Sequence, residues 1–140
     1  MRFMVIVKAN ADSENGVLPT EKELVEMGQF NDQLVKAGVM LAGEGLHPTS
    51  KGARIKFGAK GKEAVTDGPF AETKELVAGF WLVQMKSLAE AKEWFSRAPF
   101  REGEIEIRQV FESEDFAPVI ETDAGREVLA KEDEFRRQHN

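Results

Sequence analysis

Two segments of this chain are apolar on both parities of an extended strand, and every other element must be arranged to cover them. In RFMVIVK, from Arg2 to Lys8, Phe3, Val5 and Val7 alternate with Met4 and Ile6. In LVAGFWLVQM, from Leu76 to Met85, apolar side chains again fall on both faces. Successive strand residues point to opposite sides of a sheet, so strands like these need cover above and below. The aromatic and β-branched content of the second segment suits the centre of a sheet.

The sequence between and after them punctuates clearly. Pro19 and Thr20 open a helix, Thr20 and Glu23 stand at capping-box spacing, and Leu24, Met27, Phe30, Leu34 and Val35 form its expected buried stripe up to Gly38. Val39 to Leu46 reads as the second strand, with a loop at Pro48, Ser50 and Gly52. A short hairpin is predicted from Arg54 to Phe57 and Glu63 to Thr66, turning around Gly58 and Gly61. Ser87 and Glu90 form a second capping box before a helix carrying Leu88, Ala91, Trp94, Phe95 and Ala98, which Pro99 ends. From Glu104 to Phe111, Ile105, Ile107 and Phe111 alternate with Glu104, Glu106 and Arg108, the pattern of a more exposed strand. From about residue 122 a polar helical extension follows, with Val128, Leu129 and Phe135 to dock it.

Hairpin aside, the order is βαββαβ, an α+β ferredoxin-like arrangement with an inserted β-hairpin, in a single domain over residues 1–140. Two helices cover one face of a four-stranded sheet, and the two-sided strands demand cover on the other. A second copy packed face to face supplies it, which predicts a homodimer enclosing a dimeric α/β barrel. The C-terminal helix is the rival cover, but three apolar side chains are few for a whole sheet.

Composition removes several function classes. A net charge of −6 with no local cluster of lysine and arginine opposes nucleic-acid binding. The absence of cysteine excludes a disulfide framework, thiolate catalysis and cysteine-held metals, and agrees with a cytoplasmic location. The N-terminal apolar run is too short for a signal core or a membrane span. The two histidines, His47 and His139, offer no metal-ligand spacing, so no metal is expected. Gly43 and Gly45 lack the third glycine and the following helix of a dinucleotide fingerprint, so no cofactor is expected either; they read as places of close backbone approach.

The densest polar feature beside the core is TDGPFAETKEL, from Thr66 to Leu76. Asp67, Gly68 and Pro69 make a rigid turn, and that alone accounts for them. Extended, the segment puts Glu72 and Lys74 on one face; as a helical turn it makes Glu72 and Glu75 neighbours. Both conformations are open to it. As a site, a carboxylate beside Lys74 or Arg54 can take a proton while the cation holds an anionic group. Lys8 continues the Met4 and Ile6 parity, and Glu44 continues that of Met40 and Ala42, so both can reach one cavity or end in water. Asn31 lies within the apolar arc of the first helix and reads as a satisfied core amide.

DGPFAETKE followed by Gly79 and Phe80 resembles the signature of the YCII-related family, in its DGPF-domain subgroup. The likeness extends through MVIVKA (Met4 to Ala9), AGEGL (Ala42 to Leu46), KGARI (Lys51 to Ile55) and EIEIRQVFE (Glu104 to Glu112). It implies a dimeric α/β-barrel fold and an activity largely undefined. Some relatives are similar to lyases using a His–Asp pair; no histidine stands near the first strand here, and Asp67 is the carboxylate carried over. Subgroup members are often encoded beside alternative sigma factors, which implies a stress or regulatory setting.

The expectation is therefore a cytoplasmic homodimer whose inter-sheet cavity binds a small anionic organic molecule. Asp67 and Glu72 are the candidates for cofactor-free acid/base chemistry of lyase or isomerase type. Arg54, Lys74, Glu75, Lys8, Glu44 and His47 are the candidates for binding. A non-catalytic sensor or interaction module is the alternative, and turnover itself is left open by the sequence.

Overall fold

A computed structural model of the chain describes residues 1–58 and 63–139, with the backbone alone at Glu63 and Lys74. Strands β1 (Arg2–Lys8) and β2 (Met40–Gly45) join β5 (Val77–Gln84) and β6 (Ile105–Gln109) in an antiparallel sheet of order β2-β5-β1-β6. Strands β3 (Ala53–Phe57) and β4 (Glu63–Asp67) pair separately as the inserted hairpin. The helices are α1 (Ala11–Glu14), α2 (Glu21–Lys36), α3 (Leu88–Phe95) and α4 (Asp123–His139). This is the ferredoxin-like α+β order, and its two central strands, β1 and β5, are the two that are apolar on both faces.

One face carries the core. Phe3 and Val5 of β1 and Trp81 and Val83 of β5 pack with Phe30 and Leu34 of α2 and with Ala91 and Phe95 of α3. Trp81 lies 5.2 Å from the Phe95 ring and 6.0 Å from Phe30, and Phe30 lies 5.6 Å from Phe95, so one aromatic cluster holds both helices to the sheet. On the other face, Met4 stands beside Leu82 and Ile6 beside Phe80, all four only half-buried in the single chain. Helix α4 leaves that face accessible; Asp133 ties it to the Ser113–Val119 segment by accepting from Ser113 Oγ at 2.5 Å, and within α4 the same carboxylate accepts from Arg136 at 2.9 Å.

Local signals act largely as read. Thr20 and Glu23 exchange the two capping hydrogen bonds, which hold the Glu23 carboxyl below its ordinary pKa, and Gly38 takes φ 73° just beyond α2. At α3 the box is half-formed: the Ser87 hydroxyl accepts from Glu90 N–H, but Glu90 reaches Lys86 N–H instead. The predicted hairpin is present, with Gly61 lying outside the described residues.

Four readings change. Leu24 and Val35 are each 59% exposed, because α2 meets the sheet along the narrower line of Met27, Phe30, Asn31 and Leu34. Met40 and Ala42 do not share a face: a register shift between them turns Met40 into the core and leaves Ala42 and Glu44 opposite Leu82 and Phe80. Phe111 lies beyond β6 and is 65% exposed. The short helix α1 escaped the periodicity reading because four residues carry no apolar period; its signal was the Asn10 cap, bonded reciprocally with Ser13. Leu34 has no exposed surface, so Leu34→Ala should lower stability by about 2–5 kcal/mol, and Val35→Ala by well under that, in matched urea titrations.

Candidate functional site

The DGPF turn is built into a local knot. Glu14, at the end of α1, accepts from the Thr49 hydroxyl at 2.6 Å and from Thr49 N–H at 3.2 Å, and the same hydroxyl accepts from Phe70 N–H at 3.0 Å. Gly68 N–H donates to Gly52 carbonyl at 3.0 Å, and a Cβ at position 68 would overlap the Thr49 carbonyl. Arg54 on β3 lays its guanidinium 3.9 Å from the centroid of Phe70. Glycine and phenylalanine of the motif thus clasp the Thr49–Lys51 turn and the hairpin base together. Asp67 closes β4 opposite Ala53, and after the turn Glu72 leads into a 3-10 turn over Thr73–Glu75, so the segment is neither wholly extended nor helical. Asp67, Glu72 and Glu75 are exposed.

A second feature lies on the helix-bearing face, at the end of the sheet into which this segment feeds. The cross-strand row there reads Val7, Gly79, Gly45, and the row beside it Val5, Trp81, Gly43. Three glycines in two rows leave the sheet bare beneath α2, and a cleft of about 230 Å³ results. Met27 and Asn31 of α2 form its roof and Trp81 and Phe100 its aromatic wall, while Glu44, between Gly43 and Gly45, borders it but stands opposite Phe80 with its side chain on the other face. Trp81 Nε1 donates to Asn31 Oδ1 at 2.8 Å. The glycines differ in kind. A Cβ at Gly79 would press on the Glu44 carbonyl at 2.8 Å, the expected close approach of backbones, whereas a Cβ at Gly45 meets nothing within 4 Å and would enter open space.

The sequence candidates distribute over three places. Asp67, Arg54, Glu72 and Glu75 belong to the hairpin and its return segment; the side chain of Lys74 lies outside the described residues. Glu44 is exposed on the open face, opposite Phe80, and only borders the cleft as the residue between Gly43 and Gly45. Lys8 lies on the open face, its Nζ 3.5 Å from Glu106, while His47 is exposed in the loop after β2. Sequence reasoning passed over Asn31, Trp81 and Phe100 as members of a site. The available signal was the glycine pair at 43 and 45 together with Gly79 in an otherwise bulky strand. Among the described residues no three His, Asp or Glu side chains converge as metal ligands, and no helix is long and apolar enough to cross a membrane.

A model of the YCII-related domain matches residues 1–114. The chain belongs to the YCII-related family. An uncharacterised protein of Rhizobium meliloti (strain 1021) is 35% identical over 91 residues, 63% of this chain and 73% of that protein. Among solved structures, the 5-chloro-2-hydroxyhydroquinone dehydrochlorinase TftG from Burkholderia phenoliruptrix AC1100, in complex with 2,5-dihydroxybenzoquinone, is similar at 13% identity and TM-score 0.46, covering 82% of this chain and 98% of that one. The YCII-related match takes in β1 to β6 with both packed helices and stops short of α4.

The knot around the YCII-related chain's motif separates architecture from chemistry by stability. Gly68→Ala should cost at least the about 1–3 kcal/mol of an overpacked site, while Asp67→Asn should stay within about 0.5 kcal/mol of the parent. Both are read from thermal or urea unfolding.

Proposed function

We propose that this YCII-related chain works as a cytoplasmic homodimer that binds a small organic molecule in the cleft between α2 and the sheet. The observation that carries the reading is the bare glycine row: a sheet otherwise filled with Val, Phe and Trp leaves open space at Gly45, beside a fixed polar side chain, Asn31. The cleft combines apolar walls with few polar groups, the usual make-up of a small-molecule site. Its modest volume suits a single ring rather than a nucleotide.

Support for the homodimer is the half-buried quartet Met4, Ile6, Phe80 and Leu82, continuous across both central strands. The hairpin adds Ile55, Phe57 and Val65, which are 55%, 75% and 66% exposed. Apolar surface of this extent on a small chain is what a self-association face presents. Glu44, opposite Phe80, carries its carboxylate on the other face of the sheet, so proton transfer in the cleft is not assigned to it. Asp67 and Glu72 serve the same class of chemistry only for a ligand reaching the outer end of the loop, between hairpin and sheet. An enzyme and a ligand sensor share this site and differ in turnover.

Two measurements test the reading. Light scattering at micromolar concentration should give twice the 15.6 kDa chain mass, and Ile6→Glu with Leu82→Glu should return a folded monomer; a monomeric parent contradicts the dimer. In a fragment screen by protein NMR, hits should move the resonances of Trp81 and Gly45 and lose affinity in Gly45→Leu. Hits confined to Asp67, Phe70 and Glu75 would move the site to the DGPF loop.

A further inference from the structure

Resting on the homodimer proposed above, we infer that the second copy is seated with the β2 edge of each sheet against the β6 edge of the other, so that Glu44 of one copy pairs with the partner's Arg108 at both edges. The open face is apolar at its centre and charged at two rims. One cross-strand row runs Glu44, Phe80, Ile6, Glu106, and the row beside it Ala42, Leu82, Met4, Arg108. Alternate strand residues share a side, so both rims lie on the same face as the apolar quartet. On the β2 rim Glu44 is exposed and is the only charged residue of its strand. On the β6 rim Glu106 stands between Lys8 Nζ at 3.5 Å and Arg108 Nε at 4.0 Å, which leaves that cluster one positive charge in surplus, carried outward by an Arg108 side chain that is 72% exposed.

These opposite charges cannot meet within one chain. Paired strands stand about 4.8 Å apart, so the rims of the β2-β5-β1-β6 sheet are separated by roughly 14 Å, well beyond the screening length of about 8 Å at physiological salt. A second copy brings them together. Turned about a two-fold axis that runs along the strands, it stacks the two apolar quartets and sets each Glu44 rim over the partner's Arg108 rim, twice by symmetry. An axis running across the strands stacks the same quartets but puts one Glu44 rim against the other and one cationic rim against the other, and like charges at both edges oppose it. Charge thus selects between two packings that the quartet alone permits. The selected packing also lays β2 and β6, the two edge strands, beside each other and away from other molecules.

Sedimentation equilibrium of the full chain at low salt reads the dimer dissociation constant. Glu44→Lys and Arg108→Glu should each raise it about tenfold or more, and the two together should return it to within about threefold of the parent, because the rims then exchange signs. The chain has no cysteine, so the contact is also read chemically. With a short bismaleimide, Glu44→Cys combined with Arg108→Cys in one chain should give a covalent dimer, and neither single variant should. A monomeric parent would overturn the homodimer reading and the edge pairing with it. A dimeric parent whose dissociation constant is unmoved by the single reversals, or is not restored by the double one, would overturn the edge pairing and leave the homodimer standing. A covalent dimer of Glu44→Cys alone would do the same, since it sets β2 against β2.

Discussion

Trp81 is the side chain through which the parts of this molecule are connected. It sits in a central strand, 5% exposed, with its ring against Phe30 of α2 and Phe95 of α3, so the core depends on it from both helices. Its one polar atom would be costly to bury without a partner, and Asn31 provides one. The same bond holds α2 at a set height over the glycine rows and orients the amide that faces the cleft. Packing, polar satisfaction and the geometry of the candidate site thus share one residue.

Around that residue the sheet divides its duties between faces. The helix-bearing face is filled at Phe3, Val5, Trp81 and Val83 and bare at Gly45 and Gly79. The other face presents Met4, Ile6, Phe80 and Leu82 between charged edges, Glu44 on β2 and Glu106 with Lys8 on the far side. The DGPF turn belongs to neither. Its glycine and phenylalanine lock the hairpin base to Thr49, and through Thr49 to Glu14, which gives the loop entering β5 a defined path.

Much of the fold was legible because its signals are local or periodic: the two-parity strands, the Thr20 cap, the Gly38 stop and the alternation after Glu104. The two-sided, aromatic and β-branched make-up of β5 even located it at the centre of the sheet. Features that depend on register were not legible. A one-residue shift in β2 separated Met40 from Ala42, and no pattern in one strand reports its slip against another. The width of the buried arc of α2 depends on how the helix meets the sheet, so Leu24 and Val35 were misplaced. The site suffered most. Charge density drew the reading to Asp67 and Glu72, while a cleft made by absent side chains becomes visible only when Gly45, Gly79 and Asn31, far apart in the chain, are brought together.

The claim at the centre of this account is that the vacancy at the glycine row is where a ligand sits. A crystal of the full chain soaked with a bromine-substituted benzamide reads it directly from the anomalous signal of the bromine. The account requires that signal between Met27, Trp81 and Gly45, with the ring's polar edge toward Asn31. A signal between two apposed sheets over Ile6 and Phe80, or against Phe70 and Asp67, would contradict it.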